Sequence, residues 1–291
     1  MKIPPVSIKT HRREILFPRR PLLMGIVNVN DDSFCGDGSL NMEEIRQQIT
    51  KAISAGADVI DVGAESARTN REPISEEEEI RRLTPVMQHW DAWVADITRR
   101  DEEQLSPLLS INTWRPEVVK EVCEFESVEL VNDMGGLPTD ANARACAEVG
   151  KALLIMHTTA PPKVRQTGQY YDDVVGELGV FFEEKMALAE LAGLEKSQII
   201  LDPGIDFAKQ CDDNLRLLKG LQYFTQKGYP CLVPISRKTV IKDVLGVEAP
   251  LERDPGTWAL LAQSVQCGAH LLRVHNVDEA FNVNKVLAAI R

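Results

Sequence analysis

The sequence predicts an α/β chain closed into a (β/α)8 (TIM) barrel, and three observations carry that expectation. Short aliphatic runs recur between Leu22 and Val274, bounded by Gly, Pro or polar residues, as strands buried on both faces are. Segments with helix-spaced apolar residues separate them, and eight such alternations are the count of this barrel. Each run ends in a polar or charged residue, at the end where a parallel barrel binds its ligands.

The elements follow in order. Residues 1–20 carry Lys2, Lys9, Arg12, Arg13, Arg19 and Arg20 beside Val6, Ile8, Ile15 and Phe17. This pattern suggests a short hairpin covering one end of the fold, with a charged tail as the alternative. Leu22–Val29 is the first buried strand. Met42, Ile45, Ile49 and Ile53 then share one helix face. Asp58–Val62 is the second strand. Ser75 with Glu78 matches a capping box, and Ile80, Leu83, Met87 and Trp90 continue its helix. The charged stretch Asp96–Glu103 extends the connection on the surface. Strand Pro107–Ile111 precedes a helix after Pro116, strand Glu129–Asn132 a helix in 140–149, and strand Ala152–Met156 a long polar loop, 158–172. A helix over 173–192 leads to Ile199-Ile-Leu-Asp202, where Pro203 and Gly204 turn the chain. Leu215, Leu218 and Leu221 mark the next helix. Cys231–Ile235 is the seventh strand, with helices at 239–246 and 255–266. His270–Val274 is the eighth, before a terminal helix rich in Val and Ala. Residues 21–291 show no composition break. A doubly wound open sheet is the alternative, but it takes fewer repeats, and Cys35-Gly-Asp-Gly38 does not fit its Gly-rich fingerprint.

Composition narrows the function classes. The chain has 291 residues, 44% hydrophobic and 26% charged, which is ordinary for a globular protein. No apolar run approaches the ~20 residues that span a bilayer. The first residues lack the apolar core of a signal peptide. Six scattered cysteines without C-x-x-C favour free thiols in a reducing cytoplasm. A net charge of −11 argues against a nucleic-acid partner, while leaving room for an anionic small molecule held by a local cationic cluster.

The strand-end residues are Asn28, Asp61, Asn112, Asn132 with Asp133, His157, Asp202, Ser236 with Arg237 and Lys238, and Arg273 with His275. Each has an ordinary structural reading: Asn28 could cap a turn, Asp61 could accept backbone bonds, Asp202 could cap a helix, and His157 is more often a satisfied core histidine than a catalyst. Their recurrence points instead to one functional mouth. Asn112, Asn132 and Asp202 suit a flat heterocycle with several N–H and C=O groups, and a carboxylate takes paired N–H bonds from an amidine-like edge. Lys238 adds a donor. Arg68, Arg273 and His275 supply positive charge for phosphate or diphosphate. No nucleophile–base pair stands out, so the inventory points to group transfer by positioning and electrostatics.

These motifs are recognisable together. Met24-Gly-Ile-Val-Asn-Val-Asn-Asp-Asp-Ser-Phe34 with Gly36-Asp-Gly38 resembles the first signature of dihydropteroate synthases, and Gly56-Ala-Asp-Val-Ile-Asp-Val-Gly-Ala-Glu-Ser-Ala-Arg68 the second. Asn132-Asp-Met-Gly-Gly-Leu137, Met156-His157, Leu201–Phe207, Ser236-Arg-Lys238 and Arg273-Val-His275 follow in the family's order. The resemblance covers residues 20–290. It implies a cytoplasmic, often dimeric Mg2+-dependent transferase. Such an enzyme joins 6-hydroxymethyl-7,8-dihydropterin pyrophosphate to 4-aminobenzoate, giving 7,8-dihydropteroate for folate synthesis. It implies that Asp202, Asn132 and Lys238 hold the pterin, and that Asn28, Arg273 and His275 hold the pyrophosphate, with Asn28 near Mg2+. Arg68, Phe34, Phe207 and Ser236 would lie by the aminobenzoate. Departures from the family pattern fall at Asn30, Asp31, Ala64, Ala67, Thr69, Asn112, Asp206 and Asn276; those at Asn112 and Asn276 are expected to remove carboxylates from the mouth. A pterin-binding paralogue without synthase activity is the alternative. So is the pterin domain of corrinoid-dependent methyltransferases, which needs no diphosphate site and leaves Ser236-Arg-Lys238 and Arg273-Val-His275 unexplained.

Overall fold

The computed structural model describes residues 6–30, 38–66, 72–164 and 169–290. After the hairpin strands β1 (Ser7–Lys9) and β2 (Glu14–Leu16) come eight parallel barrel strands: β3 (Leu22–Asn28), β4 (Val59–Gly63), β5 (Leu108–Asn112), β6 (Val128–Asp133), β7 (Ala152–Met156), β8 (Ile199–Asp202), β9 (Leu232–Val233) and β10 (Leu271–Val274). They pair in sequence order from β3 to β8, while β10 pairs with both β3 and β9. A parallel bridge between Leu201 and Cys231 brings β8 to the start of β9 and completes the ring. The seventh strand is shorter than the sequence suggested, because Pro234 follows Val233 and has no N–H for the ladder.

Helices α1 (Met42–Ser54), α2 (Glu76–Val94), α3 (Pro116–Cys123), α4 (Ala141–Glu148), α5 (Val174–Leu191), α6 (Cys211–Lys219), α7 (Gln222–Thr225), α8 (Thr239–Leu245), α9 (Asp254–Gln266) and α10 (Val277–Ala289) fill the connections. Their placement matches the periodicity, with two local corrections. Ser75 caps α2 by accepting the Glu78 N–H at 3.2 Å, but the Glu78 carboxylate turns to Arg81 and Arg82 instead of closing a capping box. Leu215 is exposed; α6 buries Asp213, Asn214, Leu217 and Leu218.

Strand residues alternate between two cores. Leu23, Ile60, Val62, Leu109, Ile111, Val131, Leu153, Ile155, Leu201 and Leu272 pack under the helices. Leu22, Met24, Val59, Leu108, Leu130, Ala152, Leu154, Ile200 and Leu271 fill the barrel interior together with Val6, Ile8, Ile15 and Phe17 of the hairpin. The hairpin therefore plugs the N-terminal end of the barrel, as its apolar residues suggested. Polar contacts fasten that end. Thr10 and Arg13 reach the buried Glu129 at 2.8 and 2.9 Å. Arg20 forms a two-pronged pair with the fully buried Asp58, which also accepts the Leu23 and Leu105 N–H groups. The charged surface connection has an inward anchor as well: Gln104 is buried and donates to the carbonyls of Ile53 and Ala57 at the end of α1.

Two stability outcomes follow from this closed end. Phe17→Ala removes a buried ring that packs edge-on against His270 at 4.9 Å and should cost about 3 kcal/mol in urea unfolding. Asp58→Ala strands the buried Arg20 guanidinium and should cost about 3–5 kcal/mol. A loss under about 1 kcal/mol in both, within ordinary surface-substitution scatter, would contradict the sealed-end account.

Candidate active site

Inward alternation continues to the C-terminal end of the strands, where the fillers become polar. The register places Asn28, Gly63, Asn112 and Asn132 in one row across β3 to β6. Gly63 leaves space in this row; a methyl there would press on Asn112 Cβ at 3.4 Å. One layer below, the fully buried Asp61 gathers donors from three other strands. Ser110 Oγ donates to its Oδ1 at 2.7 Å. Asn112 Nδ2, Asn132 Nδ2 and Arg273 Nε donate to its Oδ2 at 3.3, 3.0 and 2.8 Å. A carboxylate only accepts, so both amides present their NH2 groups to Asp61 and turn their oxygens away. Asn112 Oδ1 is buried and has no partner among the described residues, which makes it an acceptor available to a ligand.

Asp202 stands at the end of β8. Its Oδ1 accepts the Gly204 N–H at 2.7 Å, a turn contact rather than a helix cap, since α6 begins only at Cys211. Gly204 has φ +63, and any side chain there would collide with the His157 carbonyl. Burial pushes the Asp202 carboxyl up to about 6, against the pull of the Gly204 N–H and of the nearby charges of Lys238, Arg273 and Lys209. Lys238 reaches the Ile205 carbonyl at 3.0 Å and lies 4.8 Å from the centre of the Phe207 ring, and burial lowers its pKa. Ser236 Oγ accepts the His275 backbone N–H at 3.2 Å and lies 2.9 Å from His275 Nδ1. It thereby couples the last two strand ends and directs Nε2 away from Ser236.

The structure thus draws Asp202, Lys238, Phe207 and Arg273 together, holds Asn112 and Asn132 on the same interior face, and links Ser236 to His275. Asn28 lies in the amide row. Phe34, Arg68, Asp31, Ala67 and Thr69 lie outside the described residues.

Three strand-end residues do not face the mouth. Asp133 accepts from Gly135 N and Asn142 Nδ2 at 2.6 and 2.9 Å, because it follows the inward Asn132 and so points outward. His157 packs edge-on against Phe181 at 4.7 Å; burial and the neighbouring Lys209 push its pKa down to about 3, so it is a neutral core histidine. Arg237 forms a two-pronged pair with Asp254. Two departures from the expected motif also prove to be helix caps. Asp206 has φ +68, a conformation that Asp tolerates better than most residues, and its carboxylate accepts the Thr239 and Val240 N–H groups that open α8. Asn276 caps α10 by accepting the Glu279 N–H at 3.3 Å, so it takes no carboxylate from the mouth.

Sequence reasoning placed Asp61 among the strand ends of the mouth without giving it a role, and missed Lys209. The Lys209 ammonium is buried against His157 Nδ1, Gly204 O and Phe207 O at 2.9–3.0 Å, and burial lowers its pKa to about 7. It braces the turn that carries Asp202. Its one legible signal was its nearness to that turn. Among the described residues no cluster of three or more His, Cys, Asp or Glu could hold a metal ion by itself.

Comparison with known proteins identifies the family. The family model for pterin binding enzymes matches residues 24–275. The dihydropteroate synthase of Escherichia coli K12 is 35% identical over 274 residues, covering 92% of this chain and 91% of its own. Dihydropteroate synthase from Clostridium difficile, solved in the presence of pteroic acid, superposes with a TM-score of 0.80 at 32% identity, covering 94% of this chain and 97% of its own. The Xanthomonas albilineans dihydropteroate synthase, solved with 4-aminobenzoic acid, does so with a TM-score of 0.83 at 31% identity, covering 98% of each chain. This chain belongs to the dihydropteroate synthase family of pterin binding enzymes.

Proposed function

We propose that this protein condenses 6-hydroxymethyl-7,8-dihydropterin pyrophosphate with 4-aminobenzoate, releasing diphosphate and forming 7,8-dihydropteroate. The observation that carries the reading is the buried Asp202 within reach of Lys238 and Arg273, next to amide oxygens held outward by Asp61. A pterin edge offers adjacent N–H donors and ring acceptors. Asp202 and the oxygens of Asn112 and Asn132 match the donors, Lys238 matches an acceptor, and Phe207 offers a flat face. Arg273 and His275 would take the diphosphate, and Phe207 and Ser236 would border the aromatic amine with Arg68 and Phe34.

The reaction breaks the bond between the pterin methylene carbon and the diphosphate oxygen. The electron pair leaves with the diphosphate. The methylene carbon then accepts the lone pair of the aromatic amine, which loses one proton. Arg273 and Lys238, with a ring N–H of His275 as a further donor, stabilise the departing anion, while the carboxylates of Asp202 and Asp61 stabilise positive charge on the pterin, in a setting whose dipoles are already oriented. Asn28 offers one hard oxygen donor, which suits a Mg2+ that arrives largely held by substrate phosphates and water. When bound, the ion would neutralise diphosphate charge. The family resemblance supports a homodimer. The free cysteines Cys123, Cys146, Cys211, Cys231 and Cys267 support a cytoplasmic setting. No helix among the described residues is long and apolar enough to cross a membrane.

An assay of diphosphate release with both substrates tests the proposal directly: turnover dependent on 4-aminobenzoate is expected, and pterin binding without turnover would favour a non-catalytic binder. Pterin affinity should also depend on pH. Asp202 accepts pterin N–H groups as a carboxylate, and its pKa in the free protein is raised to about 6. Affinity should therefore be full above pH 6 and fall about tenfold for each unit below it. Calorimetry with 6-hydroxymethyl-7,8-dihydropterin, which has no phosphate to titrate, would show this slope, and Asp202→Asn should flatten it while weakening binding by about 2–4 kcal/mol. Asp61→Asn should lower kcat/KM by about a hundredfold or more, since Arg273 and both amides lose their shared acceptor. A near-wild-type rate in that variant would remove Asp61 from the account.

A further inference from the structure

Beside the mouth, four buried charges alternate in sign. Glu79 on α2 pairs with Arg115 at the start of α3. Arg115 Nη2 donates to Glu65 Oε2 at 2.6 Å, and Glu65 Oε1 lies 3.1 Å from Lys163 Nζ. Glu79 and Glu65 side chains are 0% and 3% exposed, Arg115 and Lys163 only 14% and 12%. The same groups bind backbone. The Ile74 N–H donates to Glu65 Oε1 at 3.1 Å, and the Ile74 carbonyl accepts from Arg115 Nη2 at 3.1 Å. Glu65 lies just past β4 and Ile74 just before the Ser75 cap of α2. One carboxylate thus ties the beginning of the β4–α2 connection to its end. Its other partner, Lys163, comes from the β7–α5 connection, three strands farther round the barrel.

Burying four charges is costly, and apolar residues of similar volume would stabilise the fold at least as well. What an ionic chain adds is a fixed register, because each member has one geometry in which its partners are satisfied. We propose that Glu65 is a positioning residue for the second substrate: it clamps the two described ends of the β4–α2 connection to each other and to Lys163 after β7. The proposal rests on the synthase reading above, in which Arg68, three residues past Glu65, borders the amine.

Steady-state kinetics of the full chain with Glu65→Gln tests it. The KM for 4-aminobenzoate should rise about tenfold, as for a misplaced contact, while the KM for the pterin pyrophosphate should stay within about twofold. Lys163→Met removes one arm of the clamp and leaves Glu65 paired with Arg115; it should raise the KM for the amine about threefold, and the double variant should match Glu65→Gln because both act through one network. Hydrogen exchange supplies a readout independent of turnover: the Ile74 amide should exchange about tenfold faster in Glu65→Gln than in the parent. Equal changes in both KM values would mark a general loss of structure and overturn the proposal, as would an unmoved amine KM with protected Ile74. A parent protein without turnover would refute the synthase reading and this inference together, whereas parent turnover with an unmoved Glu65→Gln refutes only the inference.

Discussion

The hydrogen bonds converging on Asp61 are the constraint on which the mouth depends. An amide can rotate to offer either its NH2 or its oxygen, and an arginine can extend in several directions. A buried carboxylate with donors from β5, β6 and β10 removes that freedom. Once Asp61 is in place, Asn112 and Asn132 turn their oxygens away from it, and Arg273 is fixed through Nε. The site is thereby organised before substrate arrives, which is the condition for electrostatic catalysis without reorganisation.

The two ends of the barrel divide the work. At the N-terminal end the polar groups pair with one another: Asp58 with Arg20, Glu129 with Arg13 and Thr10, under the apolar plug of the hairpin. At the C-terminal end the charges are compressed against burial instead. Asp202 is raised towards 6 and Lys209 lowered to about 7 by the same cause, desolvation, a perturbation that clusters at functional sites. A ligand that brings N–H donors to Asp202 offsets the desolvation of its carboxylate.

The motif departures separate by what the side chain touches. Asp206 and Asn276 act outside the mouth, because each satisfies the first N–H groups of a helix. Asn112 differs in kind, since it sits on the interior face and donates to Asp61. In this orientation an amide supplies a donor that a carboxylate could not, and the layer keeps one negative charge on Asp61. Asn30 is buried with its carbonyl close over Gly38, where only glycine fits.

Much of this protein was determined locally and was therefore legible in its sequence. Period-two and period-3.6 patterns report directly which faces are buried, so the eight strands, their helices and the plugging hairpin could be placed from Leu22 to Val274, as could Asn112, Asn132, Asp202, Lys238 and Arg273. Side-chain direction at a strand end was not legible. One residue of phase separates the inward Asn132 from the outward Asp133, and a positive φ at Arg237 turns that side chain to Asp254 while Lys238 stays near Asp202. The fate of His157, the bracing role of Lys209 and the convergence on Asp61 also needed the closed barrel. They depend on residues up to 212 positions apart, and no spacing along the chain reports which distant donors a buried carboxylate will meet.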